Sequence, residues 1–412
     1  MHDLIIKNAA QVVTCSGFEG KRGREMNDLR VIENGTVIVT DGIISHVLKQ
    51  GEPLPVNLND YNVIDATGKA LLPGFVDPHT HFVFGGYREE EFSWRMRGDS
   101  YMAIMERGGG IVSTTRATRK ATEEELVDTG RQRLDAMLRL GITTLEGKSG
   151  YGLDRETELK QLRVMQRLND IHPMDVVSTY MGAHAVPQEW KGREDAFIDF
   201  QIEEMLPLVA KERLAEAADI FCEKGVFSIN QSRRYLLAAA SLGLKPKMHA
   251  DEIVSLGGAE LAAELHCLSA DHLLQASDEG IAALAATGTV ATLLPLTAFS
   301  LRESYARART MIDSGCIVAL ATDLNPGSSF TASVPLLFAL ACIYMQLTPE
   351  EAVTAFTLNS AAALGRADRI GSIDVGKQGD LLLLQFPSYK FLPYHVGMNI
   401  VERVIKKGEI VV

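Results

Sequence analysis

Leu72-Pro-Gly-Phe-Val-Asp-Pro-His-Thr-His81 is the stretch from which the fold can be read. An apolar run over residues 71–76 stops at Asp77-Pro78, and two histidines follow two residues apart. Side chains alternate along a strand, so His79 and His81 are expected to point the same way and to be able to share one ion. A bare His-x-His is more often a surface or core pair than a metal site. Here the remaining candidate ligands stand downstream, each at the end of its own strand, and that decides for the metal.

Outward from that stretch, strands and helices alternate, which favours a parallel sheet. Eight strand candidates cover residues 75–81, 142–148, 176–184, 218–223, 245–250, 268–273, 289–295 and 317–323. The helices between them carry boundary signals. Thr122 with Glu125 makes a capping box, and Gly141 sits where that helix would stop. Thr348-Pro349 with Glu351 repeats the device, with proline at the first helical position. Residues 356–364 read as helical before Gly365. Eight βα units point to a TIM barrel, an α/β fold whose chemistry sits at the C-terminal strand ends.

The two ends of the chain read differently. Residues 4–6 and 36–39 form short apolar runs, and Asp41-Gly42 before Ile43-Ile44 is a hairpin signal. The same character returns over 380–385 and 401–412, with Lys407-Gly408 as the turn. A small β-sandwich domain built from residues 1–68 plus 366–412 is therefore expected, around a barrel domain at 69–365.

Composition bounds the partners. A chain of 412 residues with 46% hydrophobic content can bury a large core. The net charge of −12 argues against nucleic acid or an acidic membrane as partner. An anionic small molecule stays possible if the pocket carries local cations. Five scattered cysteines with no CxxC fit reduced thiols in the cytoplasm. Met1-His2-Asp3 lacks a cationic leader, so export is not expected. The greasiest segment, 334–345, contains Pro335 and is too short to span a bilayer.

The strand ends, taken in order, assemble a site. The first supplies His79 and His81, the fifth His249 with Glu252 three residues on, the sixth His272, and the eighth Asp323. Three imidazoles and a carboxylate suit one zinc or iron ion with an open position. Glu252 lies off the ligand register, which suits proton transfer. His272 could orient a water or stabilise an oxyanion, or support a ligand. Glu223 and Lys148 could belong to a second metal, but further imidazoles would be needed beside them, and one metal is favoured. His184 is as fit to bind substrate as metal.

In these residues the chain resembles the amidohydrolase superfamily and, within it, the imidazolonepropionase family. The broader likeness rests on His79-x-His81, His249-x-x-Glu252, His272 and Asp323, together with the split β-domain. The narrower one rests on His81-Phe-Val-Phe-Gly-Gly-Tyr-Arg88, Gly108-Gly-Gly-Ile-Val-Ser-Thr, Lys148-Ser-Gly-Tyr-Gly-Leu, Met181-Gly-Ala-His-Ala-Val-Pro and Asp323-Leu-Asn-Pro-Gly-Ser328. The resemblance implies His79, His81, His249 and Asp323 as ligands of one Zn2+ or Fe3+ per subunit. It implies Arg88, Tyr101, Tyr151, His184, Glu252, Asn325, Gly327 and Ser328 as contacts to a small anionic substrate, and a homodimer. The implied reaction is hydrolytic opening of the ring of 4-imidazolone-5-propanoate to N-formimidoyl-L-glutamate by a metal-bound hydroxide, in histidine degradation. Glu252, His272 and Asp323 would carry the catalysis, with Arg88 holding the propionate. Two other readings remain: a heterocycle aminohydrolase with the same ligand set, or a non-catalytic scaffold of this fold.

Overall fold

The computed structural model describes residues 3–99 and 107–412. Its N-terminal part forms β1 (Leu4–Val13), β2 (Val31–Thr40), β3 (Ile43–Leu48), β4 (Asn62–Asp65) and β5 (Ala70–Pro73). The barrel strands follow: β6 (Phe75–Asp77), β7 (Ile142–Lys148), β8 (Asp175–Ala183), β9 (Ala217–Cys222), β10 (Lys245–Ala250), β11 (Ser269–His272), β12 (Val290–Leu293) and β13 (Val318–Leu320). The chain closes with β14 (Leu381–Leu384), β15 (Val401–Lys406) and β16 (Glu409–Ile410).

Strands from both ends hydrogen-bond into one sheet in the order β16-β15-β14-β5-β1-β2-β3, with β4 beside β1. The two hairpin turns have the geometry their residues demand. Asp41 and Gly42 take φ 50° and 79°, and Lys407 and Gly408 take 50° and 78°, the left-handed pair that matches strand twist. Alternation divides the sheet's faces. Leu71, Leu381 and Leu383 join Leu4, Ile6 and Val37 in a core of the sheet's own. Leu72, Leu382 and Leu384 face the other way into the main core under the barrel.

The apolar run 71–76 is therefore two strands and not one. It breaks at Gly74: β5 pairs with β1 and β14, and β6 opens the barrel. Ala70–Pro73, expected in the barrel domain, belongs to the terminal sheet instead. A Cβ at residue 74 would lie 2.2 Å from Thr143 Oγ1, so only glycine lets the chain cross between the sheets there.

The eight barrel strands run parallel in sequence order from β6 to β13. The helices between them start where the caps indicate. Thr122 accepts from Glu125 N ahead of Glu123–Arg139, and Thr348 accepts from Glu351 N ahead of Pro349–Ala355. Gly141 ends the first of these at φ 93°. No helix among the described residues is long and apolar enough to cross a membrane.

One expectation about β6 needs correction. The strand ends at Asp77, so His79 and His81 stand beyond it. Extended pairing nevertheless continues: Asp323 N donates to His79 O at 3.0 Å, and His81 N donates to Leu324 O at 2.9 Å. Thr322 N and Oγ1 donate to the Asp77 carboxylate at 3.1 and 2.5 Å. These bonds join the first and last strands and close the barrel. The segments that close it are the ones that carry His79, His81 and Asp323.

Candidate active site

The imidazoles converge at the C-terminal mouth. The His79 ring centroid lies 4.5 Å from that of His249, 5.3 Å from His81 and 5.3 Å from His272. Asp323 Oδ1 lies 3.6 Å from His79 Nε2 and 3.8 Å from His81 Nε2. The Nε2 atoms of His79 and His249 are buried without a hydrogen-bond partner, an expensive state for polar atoms unless something else fills the space. Burial pushes all three imidazoles well below the ordinary histidine range, helped at His79 by Lys148, at His81 by His184 and at His249 by His272. Neutral imidazoles whose lone pairs face one point fit a metal ion. Ligand atoms of His79, His81 and Asp323, and separately of His79, His249 and His272, lie within 4.8 Å of one another.

The far sides of two of the rings are anchored. His79 Nδ1 lies 2.6 Å from Asp271 Oδ2, and His249 Nδ1 3.1 Å from Asp219 Oδ1. Those contacts fix the tautomer and aim Nε2 at the mouth. Lys148 sits among the carboxylates beneath, 2.6 Å from Asp219, 3.0 Å from Glu146 and 3.3 Å from Asp271. Burial works against its charge, but the three carboxylates overcome it and hold Lys148 above the ordinary lysine range. An ammonium so held is no nucleophile toward carbon dioxide, so a carbamylated Lys148 ligand finds no support here. Glu223 is also engaged elsewhere: its Oε2 accepts from Ile253 N at 2.8 Å and its Oε1 from Lys224 N at 2.8 Å. It shapes the loop after β10.

Two site residues carry backbone strain. His272 takes φ 76° and Asp323 φ 51°, left-handed values that non-glycine residues seldom adopt. Asp323 Oδ2 accepts from Thr297 Oγ1 at 2.6 Å. Burial pushes the Asp323 carboxyl up to about 7, against the Thr297 bond. Glu252 Oε1 lies 3.4 Å from His272 Nδ1. Burial, then the charges of Asp323 and Glu223, push the Glu252 carboxyl up to about 8. Burial also pushes His272 and His184 down to about 4.

A cavity of about 590 Å3 opens above these groups, within the range of small-molecule sites. His184 stacks on His81 at 5.0 Å between ring centroids, with its Nδ1 3.1 Å from Gly150 O. Tyr151 packs beside both, 5.6 Å from the His81 ring and 5.4 Å from the His184 ring. Burial and Asp323 hold its phenol above the ordinary tyrosine range, so it stays a hydrogen-bond donor. Arg88 lines the same cavity, with Asn325, Gly327 and Ser328. The loop amides are not free donors as expected: Gly327 N and Ser328 N each donate to Asn325 Oδ1 at 2.8 Å. Asn325 Nδ2 in turn donates to Asp323 O at 2.8 Å, which ties the loop to the ligand strand. Tyr101 lies outside the described residues.

Sequence reasoning missed Asp219, Asp271 and Thr297, which act only by pairing with residues of other βα units. A faint signal existed: Asp219 and Asp271 are charged residues inside apolar strands, at positions that alternate into the barrel. Glu91 was missed as well. It is buried, and its Oε2 accepts from Arg88 Nε at 2.9 Å.

With this geometry in place, known proteins can be compared. A family model described as the amidohydrolase family matches residues 62–119 and 101–412. Imidazolonepropionase of Parabacteroides distasonis is 64% identical over 408 residues, covering 99% of this chain and 98% of its own. Imidazolonepropionase of Clostridium tetani is 62% identical over 410 residues, covering 99% and 98%. Among solved structures, a triazine hydrolase from Arthrobacter aurescens matches with TM-score 0.76 at 15% identity, covering 100% of this chain and 94% of its own. An adenosine deaminase from Xanthomonas campestris, with bound zinc, matches with TM-score 0.68 at 20% identity, covering 99% and 92%. At such identities the structural likeness speaks for the fold alone.

Proposed function

The chain belongs to the imidazolonepropionase family of amidohydrolases, and from that premise we propose which of its residues perform the ring opening and how. The reaction is hydrolysis of the imidazolone ring of 4-imidazolone-5-propanoate to N-formimidoyl-L-glutamate in histidine degradation. The observation that carries the residue assignment is that His249, whose buried Nε2 has no partner, and the Arg88 guanidinium line one cavity.

His79, His81, His249 and Asp323 would hold one zinc or iron ion. Bound there, the ion supplies Lewis acidity, polarising the ring carbonyl and making water acidic enough to attack near neutral pH. Arg88 anchors the propionate through the guanidinium edge that Glu91 leaves open. Tyr151 and His184 form the wall against which the ring lies. His272 donates toward the carbonyl oxygen as negative charge develops on it. Glu252 is the proton shuttle. Both Asp323 oxygens are engaged, Oδ2 by Thr297 and Oδ1 facing the histidines, whereas Glu252 is paired, among the described residues, with His272 alone. Its raised pKa suits a carboxyl that takes a proton from the attacking water and returns one to the departing ring nitrogen.

Five unpaired cysteines support a cytoplasmic location, and exposed Ile343, Tyr344 and Tyr394 support pairing of two chains. Light scattering would test the pairing. The test of the reaction is to follow loss of imidazolone absorbance together with formimidoyl-glutamate and ammonia. Formimidoyl-glutamate without ammonia fits ring opening; stoichiometric ammonia would mark an aminohydrolase and overturn the assignment.

A further inference from the structure

We propose that Arg95 is a second anion-binding side chain of the carboxylate subsite, bracketing Gly327 together with Arg88. The proposal rests on the reading of the substrate given above and deepens it. Arg88 caps the helix Glu89–Met96, so Glu91 and Arg95 follow it at three and then four positions, on one helix face.

Glu91 occupies one edge of the Arg88 fork, 2.9 Å from Nε and 2.8 Å from Nη2. Its other oxygen accepts from Gly110 N at 3.0 Å, so the carboxylate is fixed between Arg88 and the backbone. Nη1 of Arg88 is left facing Gly327, where a Cβ would lie 2.1 Å from it. On the other side of that glycine, Arg95 Nη2 donates to Gly327 O at 3.1 Å. Arg95 Nε is buried without a partner, and both arginines line the cavity. Two guanidinium groups thus converge on one residue, and the buried Glu91 carboxylate is paired with the first of them. Burial, and then the charge of Arg88, pull Arg95 below the ordinary arginine range, with Glu91 opposing.

Among the described residues, Glu91 is the carboxylate ion-paired to this couple of arginines, which leaves one positive charge unmatched there inside an otherwise acidic protein. Glu303, which also lines the cavity, is exposed. A short-chain monocarboxylate supplies the missing counter-ion, and Arg95 Nε and Arg88 Nη1, without hydrogen-bond partners among the described residues, give it two points of contact. Glycine at 327 is what permits it, since any side chain there would collide with Arg88.

The competing role is a strut: Arg95 could merely hold Gly327 O. Two substitutions separate the roles. Arg95→Gln keeps an amide donor for the carbonyl and removes the charge, whereas Arg95→Lys keeps the charge and loses the fork. The substrate and its neutral carboxamide counterpart are compared by kcat/KM, with Arg95→Ala as a third variant. Expected are a loss of about 10- to 100-fold on the acid for Arg95→Gln and Arg95→Ala, mainly in KM, and little loss on the carboxamide. Arg95→Lys should recover part of it. Full activity of Arg95→Gln on the acid, or equal losses on acid and carboxamide, would overturn the proposal in favour of the strut. Failure of the wild-type protein to open the acid at all would instead overturn the underlying substrate assignment, and the proposal with it.

Discussion

His79 Nδ1 lies 2.6 Å from Asp271 Oδ2, both groups fully buried and reaching each other from just beyond β6 and from β11, which are not adjacent strands. Asp271 precedes His272 in the chain, so one short strand supplies both the buttress of a ligand and a neighbour of the reacting centre. Carboxylate anchors of this kind orient ligand histidines and raise their basicity. Asp271→Asn should therefore weaken metal affinity by roughly 10–100-fold. Titration against a chelator reads this directly, without reference to turnover. Unchanged affinity would show that packing alone orients His79.

Glu252→Gln keeps the side chain's size and removes proton transfer. kcat should fall by about 10²–10⁴-fold while metal content stays near wild type. Loss of metal in the variant would mean that Glu252 supports a ligand, and the shuttle would have to be sought at Asp323.

Arg88→Ala deletes a charge-assisted bond pair worth roughly 1.5–3 kcal/mol, or about a ten- to two-hundred-fold loss in kcat/KM. Much of it should appear in KM, because the carboxylate lies away from the bond that breaks. A ring analogue lacking the carboxylate should lose little further in the variant. Equal penalties on both compounds would place Arg88 in the scaffold.

Below the barrel, Lys406 Nζ bridges Asp175 at 2.8 Å and Asp380 at 2.7 Å, tying β8 to the terminal sheet. Burial raises the Asp175 carboxyl, but Lys406, Gln378 and Lys407 outweigh it and hold the group well below the ordinary aspartate range. A carboxyl easier to ionise in the folded than in the unfolded chain stabilises fully above its unfolded pKa of about 3.9. That contribution is lost as pH falls through the lower folded value. Asp175→Asn should thus lower stability by about 1–3 kcal/mol at pH 7 in denaturant melts, and by progressively less below about pH 4. A penalty that grows on acidification would contradict the sign.

Much of this was legible in the sequence where the physics is local. Asp41-Gly42 and Lys407-Gly408 demand the left-handed turns they make, and Thr122 and Thr348 cap the helices they precede. The eight barrel strands are those the alternation indicated, four of them trimmed at the ends. What escaped depends on pairing across the chain. The 71–76 run looked like one strand because both halves are apolar, and only Thr143, packed against Gly74, shows why it divides. His79 and His81 were placed on a strand that stops before them, since the bonds that extend it come from Asp323 and Leu324. Asp219, Asp271 and Lys148 form their network only once the alternate strands β7, β9 and β11 turn their side chains into one barrel.

The most direct test of the site is metal stoichiometry, measured on purified wild type and on His249→Ala. The account predicts about one zinc or iron per wild-type chain and near-complete loss in the variant, because three remaining ligands leave an open cage. Two tightly bound ions per chain, or a variant that keeps its full metal content, would contradict it.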